Sequence, residues 1–255
     1  MSVGPLLRDW RQRRRLSQLD LALEAGVSAR HLSFVETGRA RPSAEMVLHL
    51  AQGLDVPLRE RNRMLLAAGY APRFEQRDLD DPEMSPVRGA LQLILDGHEP
   101  YPALVVDGAW EMVAANRAVG LLTDGVAPDL LEPPLNVLRV SLHPDGLAPR
   151  IVNLGEWRAH LLERLTRQIA LTGDAALQTL LEELRDYPAP QDGHVSSSEI
   201  AVPLRLSTDA CELAFISTVA TFGTAVEITA SELSIESFFP ADQRTADALR
   251  AYLTG

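Results

Sequence analysis

The sequence predicts two domains of different class, a small all-α domain followed by an α+β domain built on an antiparallel sheet. Two observations predict it. Residues 4–70 break into short apolar-periodic segments with turn signals between them, the signature of short helices. From Tyr101 onward, β-prone runs and longer amphipathic segments take over, which points to a sheet covered by helices. Charge divides the chain near the same place. Residues 1–78 hold thirteen Arg against nine Asp and Glu, and residues 79–255 hold eleven Arg against twenty-six. The net charge of −11 therefore hides a basic N-terminal third. A basic module joined to an acidic one is the expected footprint of a nucleic-acid reader with a separate second domain.

The 255 residues suffice for a helical domain at 1–70, a linker at 71–100 and an α+β domain at 101–255. The first expected helix is Pro5–Arg14, with Leu6, Leu7 and Trp10 on its apolar side. Ser17 caps the second, and Asp20 three residues later completes a capping box. Leu19, Ala22 and Leu23 form its stripe, and Gly26 ends it. Ser28 caps a third helix that turns Leu32 and Val35 inward and runs to Gly38. A fourth, Ser43–Leu54, carries Met46, Val47, Leu50 and Ala51 at helical spacing, and a fifth, Leu58–Ala68, ends at Gly69. The polar stretch APRFEQRDLDDPEMSP reads as linker, followed by a helix at Val87–Leu95.

In the second domain, Ala103–Val106 and Trp110–Ala114 read as strands joined through the hairpin signal Asp107-Gly108. Asn116–Leu122, Asn153–Leu171 and Ala175–Arg185 read as helices, with Asn116 and Asn153 as caps. Ile200–Leu206, Glu212–Phe222 and Leu233–Phe238 read as three more strands, and Asp242–Leu253 as a closing helix.

Several function classes drop out. The single cysteine, Cys211, excludes a disulfide framework and a multi-cysteine metal site, and reads as a small buried hydrophobe. No apolar run approaches the ~20 residues that cross a bilayer, and the N-terminus lacks a signal-peptide pattern; a cytoplasmic protein off the membrane is expected. There is no G-x-S-x-G, H-E-x-x-H or Gly-rich phosphate loop. His143, His160 and His194 are scattered, and Ser196–Ser198 reads as loop. No catalytic residue, metal or cofactor is expected.

The N-terminal order of helix, cap, helix, Gly turn, cap and helix is a helix-turn-helix arrangement. Its residues Leu16-Ser17-Gln18, Leu21-Ala22, Ala25-Gly26-Val27-Ser28, Glu36-x-Gly38-Arg39 and Arg41-Pro42-Ser43 closely resemble the Cro/C1-type, or XRE-type, family over about residues 5–70. The resemblance implies a lambda-repressor-like fold and a DNA-binding transcriptional regulator whose third helix lies in the major groove. It implies that Ser28, Ala29, Arg30, His31, Ser33 and Phe34 face the DNA from that helix. Gln18 is implied as a phosphate contact, and Arg39, Arg41 and Ser43 as neighbours of the sugar-phosphate backbone. Arg30 has the donors for guanine O6 and N7. Ala29 and Phe34 depart from the polar residues common at such positions. Arg11 is implied to pair with Glu36, and a homodimer on a two-fold site is the family expectation.

Five further blocks, LVVDGAWEMVAAN (104–116), PLNVLRVSLHPD (134–145), IVNLGEW (151–157), ATFG (220–223) and IESFFPAD (235–242), resemble the MmyB-type regulator domain over about residues 100–252. That resemblance implies a PAS-like fold, an antiparallel sheet and helices around a pocket for a small apolar, fatty-acid-like ligand. Trp110, Leu138, Phe215, Phe222 and Phe238 are the candidate lining residues. Arg139 and His143 are candidates to hold a ligand carboxylate, as charge-assisted donors. The expected partners are double-stranded DNA, a small apolar ligand and a second copy of the chain. A second reading stays open from sequence, in which the C-terminal domain only dimerises and its apolar side chains fill their own core.

Overall fold

The computed structural model describes residues 2–188 and 201–254. Its contacts divide into two compact units. The first, helical unit runs to Arg77 and also takes in Ala170–Thr172 and Thr224–Ser231. It contains α1 (Val3–Arg13), α2 (Gln18–Glu24), α3 (Ala29–Glu36), α4 (Ala44–Gly53) and α5 (Leu58–Ala67). The start signals act locally, as expected. Ser17 Oγ accepts from the Asp20 N–H while the Asp20 carboxylate accepts from the Ser17 N–H, and Ser28 and Ser43 cap α3 and α4. Gly26 and Gly38 follow α2 and α3 at φ +61° and +74°, the left-handed conformation that ends a helix cheaply only with glycine.

Leu7, Trp10, Leu21, Leu32, Val47 and Leu50 are part of the core of this unit. One expected stripe differs. On α2 the buried residues are Leu21 and Ala22, whereas Leu19 and Leu23 are 59% and 73% exposed. The face through Leu21, Ala22 and Ala25 wins because its two small residues let neighbouring helices approach closely. Close approach also sets Gly4. A Cβ there would lie 2.5 Å from the Glu36 carbonyl oxygen and 2.6 Å from that of Val35, so α1 rests directly on the backbone of α3.

The second unit starts with a 3-10 turn at Pro82–Met84 and α6 (Ser85–His98). Next come β1 (Ala103–Val106), β2 (Met112–Ala115), α7 (Gly120–Thr123), α8 (Pro128–Leu131) and α9 (Val137–Leu142). Then follow α10 (Leu154–Thr172), α11 (Ala175–Asp186), β3 (Leu204–Ser207) and β4 (Glu212–Thr221). The chain closes with α12 (Ile228–Glu232), β5 (Ser234–Pro240) and α13 (Gln243–Thr254). The last three residues of α10 and most of α12 belong to the helical unit. The five strands form one antiparallel sheet in the order β2-β1-β5-β4-β3. The protein is thus multidomain, an all-α helix-turn-helix region and an α+β domain.

Side chains alternate across the sheet. Leu104, Leu206, Leu213, Phe215 and Phe238 enter the main core with residues of α9, α10 and α11. Ala103, Val105 and Ile235 enter a second core with Leu91 and Leu95 of α6. The helix expected at Val87–Leu95 is therefore longer, and it covers one face of the sheet rather than standing in a linker. Trp110 is not in a strand; it sits at φ +67° in the β1–β2 connection, and β2 begins at Met112. α8, α9 and α12 were not expected as helices.

Asn116 and Asn153 occupy N-cap positions, but neither side chain makes a capping hydrogen bond. Asn116 Oδ1 accepts from the Ala103 N–H, and its amide donates to the carbonyls of Leu95 and Tyr101. Asn153 joins the backbone at Pro203 and Arg205. Cys211 is half-buried. His194, Ser196–Ser198 and the expected strand start at Ile200 lie outside the described residues. Among the described residues no helix is long and apolar enough to cross a membrane.

Gly4→Ala is expected to lower stability by ~1–3 kcal/mol through overpacking against α3. Gly89→Ala, in α6 with no atom within 4 Å of its added Cβ, is expected to raise it by ~0.5–1 kcal/mol. Urea unfolding midpoints separate the two; equal shifts would refute the close approach at Gly4.

Candidate DNA-reading face and ligand cavity

α3 has an inner and an outer side. Leu32 and Val35 are buried, and Glu36 is 7% exposed. Arg11 from α1 meets the Glu36 carboxylate with two bonds, Nε to Oε1 at 2.7 Å and Nη2 to Oε2 at 3.0 Å. Gln18 Nε2 of α2 donates to Oε2 at 2.7 Å. Burial alone would push the Glu36 carboxyl up. The hydrogen bonds from Arg11 and Gln18, with the charges of Arg11 and Arg8, outweigh it and hold the carboxyl below the usual carboxylate range.

On the outer side Arg30 is exposed, and His31, Ser33 and Phe34 are half-buried. The Phe34 ring lies 5.4 Å from the Arg30 guanidinium and 5.9 Å from that of Arg39, within cation–π range of both. Arg39 reaches the ring because the Gly38 turn folds the chain back, with the Arg39 N–H on the Phe34 carbonyl at 2.8 Å. Three expected DNA contacts have internal work. Gln18 bonds Glu36 as described. Arg41 donates to the Ala68 carbonyl and stacks on Tyr70 at 5.5 Å. Ala29 packs partly against the core. Ser28 and Ser43 are exposed but engaged as caps.

In the second unit a cavity of about 60 Å³ lies between the main-core face of the sheet and the helices. Trp110, Leu138 and Phe238, all expected as lining residues, are on its wall. Trp157, Leu161 and Met112 join them. Both indoles have their N–H satisfied by the protein itself: Trp110 Nε1 donates to Gln168 Oε1 at 2.6 Å, and Trp157 Nε1 to Ser141 Oγ at 3.0 Å. Their ring faces remain as apolar wall.

Four expected ligand residues are placed elsewhere. Phe215 is fully buried and packs edge-on to Phe238 at 6.3 Å, but it is not on the wall. Phe222 packs against the second core, on the α6 side of the sheet. Arg139 makes a bidentate pair with Glu183, both bonds 2.8 Å, at a solvent-facing site. His143 stacks edge-on to Tyr187 at 5.1 Å, and its Nδ1 accepts from the Asp145 N–H. Burial, followed by the hydrogen bond to Glu183, pushes the Tyr187 hydroxyl up to about 12. The reason is the phase of α9. Asn136 caps it by accepting from the N–H groups of Leu138 and Arg139, which turns Leu138, Ser141 and Leu142 inward and Arg139 outward.

The wall also holds a charged residue that sequence reasoning missed. Glu236 of β5, 6% exposed, lines the cavity and is bonded through Oε1 by Arg164 Nη1 of α10. Arg164 in turn lies over the Trp110 ring at 4.5 Å. The period of two in IESFFPAD, which puts Glu236 on the same face as Phe238, was the available signal.

A helix-turn-helix with an exposed Arg face and a sheet domain around an apolar cavity define a class. Residues 7–61 match the helix-turn-helix family, and residues 87–251 match the family described as MmyB-like transcription regulator ligand binding domain. The protein is a DNA-binding transcription regulator with a domain for a small-molecule ligand. The second match covers 165 of the 255 residues, and the chain belongs to the MmyB-like transcription regulators. A comparison with curated proteins gave no match.

Arg11→Met is expected to cost ~3 kcal/mol, because it leaves a buried carboxylate without its main donor. A depressed folded-state pKa means that the contribution of Glu36 is present above its unfolded value of ~4.3 and is lost as pH falls through the folded value. Stability of the wild type measured from pH 7 to pH 2 should therefore drop more steeply below pH ~4.3 than that of Glu36→Gln. Parallel curves would show that the carboxylate is not held by these donors.

Proposed function

We propose that the protein is a homodimeric, sequence-specific transcription regulator whose operator affinity is set by a small apolar ligand with a fatty-acid-like alkyl body. The observation that carries this reading is the cavity of about 60 Å³, walled largely by indole and aliphatic carbon, in a chain that also exposes Arg30 on α3 and Arg39 just beyond it, on either side of the half-buried Phe34 ring. Arg30 reads a base edge and Arg39 a phosphate, with Phe34 holding both guanidiniums in place. A second copy puts a second α3 on a half-site ~34–36 Å away. Trp110, Leu138 and Phe238 contact the ligand. Arg139 and His143 are already engaged at the surface and are not part of this site.

The cavity is under half of the ~150 Å³ that accepts benzene in an engineered protein core. An alkyl ligand therefore pushes the wall outward and favours an expanded arrangement. It acts on DNA binding only through its difference in affinity between the two arrangements. The route supported best runs through β5. The residues just before it, Thr224–Ser231, belong to the helical unit. There Glu227 Oε1 accepts from the Arg77 N–H at 2.8 Å, Ile228 N–H donates to the Glu75 carbonyl, and Thr229 Oγ1 donates to the Arg77 carbonyl. Asn62 of α5 holds the same strand of chain at Arg73 and Phe74.

Operators selected from a random duplex pool supply the tests. Arg30→Ala should cost ~1–3 kcal/mol and relax one position, and Arg39→Ala should weaken all duplexes alike and lower the salt slope by ~1. A uniform loss for Arg30→Ala would remove it as a base reader. Saturating alkyl ligand should change operator affinity about tenfold, and Glu227→Ala should abolish that change while ligand binding persists. Unchanged operator affinity at saturation would favour a C-terminal domain that only dimerises.

A further inference from the structure

The Arg164–Glu236 pair is asymmetric with respect to the cavity. Glu236 is on the wall and Arg164 is not. Arg164 bonds Oε1, and among the described residues no donor reaches Oε2 of the same carboxylate. The other polar wall residues do not offset this. Ser141 Oγ is taken by the Trp157 indole, and Thr123 Oγ1 is turned to the carbonyls of Val119 and Gly120. An anion entering this space would meet the carboxylate and not the guanidinium that pairs with it, because Glu236 lines the cavity and Arg164 does not. A hydrogen-bond donor would bond the carboxylate oxygen that Arg164 leaves open.

We propose that the ligand of this cavity carries a hydrogen-bond-donor head, a hydroxyl or a protonated amine, which Glu236 accepts, and not a free carboxylate. The proposal rests on the reading of the cavity as the ligand site. Trp110 and Trp157 on the wall give the ligand an aromatic lining and give the experiment a signal. Arg164, fixed between Trp110 and Glu236, neutralises the carboxylate so that an uncharged alcohol is accepted as well as an ammonium.

The test uses three probes of one chain length, 1-octanol, octylamine and octanoate, titrated into the full-length protein below their aggregation limits. Tryptophan fluorescence and thermal shift are read together. Octanol, octylamine or both should bind about tenfold more tightly than octanoate, and which of the two leads decides between hydroxyl and ammonium. In Glu236→Gln, octylamine should weaken about tenfold and octanoate should gain, because Arg164 is then freed for an anion. Octanoate binding at least as tightly as the other two in the wild type would overturn the head-group assignment and leave the cavity as the ligand site. Binding of none of the three would overturn both. The wild-type ranking decides even if Glu236→Gln does not fold.

Discussion

Burying a carboxylate costs several kcal/mol unless donors replace the water it leaves. Glu36 and Glu236, at 7% and 6% exposure, both meet that constraint through an arginine of a neighbouring helix. They meet it to different degrees. Glu36 has Arg11 on both oxygens and Gln18 on one, so nothing further is needed. Its carboxylate joins α1, α2 and α3 at one point, and the orientation of α3 depends on it. Glu236 has one oxygen engaged and faces a cavity. The first arrangement is closed and structural; the second leaves an acceptor for something else.

The closed arrangement explains how so short a helix is held in place. α3 has eight residues, too few to hold a helix by propensity alone. Ser28 caps its start, Gly38 ends it, and Leu32, Val35 and Glu36 hold the inner side. Phe34 then does on the outer side what Glu36 does on the inner one, by limiting where two long arginines go. A phenylalanine at such a position looks like a lost hydrogen bond in the sequence. In the structure its ring orders the donors on either side.

Features that act over four or five residues were legible from sequence. The caps at Ser17, Ser28 and Ser43 and the glycine stops at Gly26 and Gly38 follow from local backbone needs and need no tertiary knowledge. The α2 stripe was misread because two phases fit the same seven residues. Leu19 and Leu23 are the larger side chains, and only the close approach of neighbouring helices selects Leu21 and Ala22. Arg139 and His143 were misplaced because α9 was not seen as a helix; Asn136 as its cap would have set the phase. Phe222 and Phe238 look equivalent as strand aromatics from sequence, but β4 ends at Thr221 and Phe222 packs with the second core, whereas Phe238 on β5 enters the main core.

The position of β5 gives the open acceptor its leverage. β5 is the central strand of the sheet, paired with β1 on one side and β4 on the other. Ile235 enters the core under α6, whereas Glu236 and Phe238 enter the core with the cavity. On the proposed reading, a ligand bonded to Glu236 would act on a strand shared by both cores, a few residues along the chain from the Thr224–Ser231 segment. Packed cores are bistable rather than continuously deformable, so a small shift in this one strand has few ways to dissipate. On the proposed reading, the head group is the part of the ligand that reaches this shared strand.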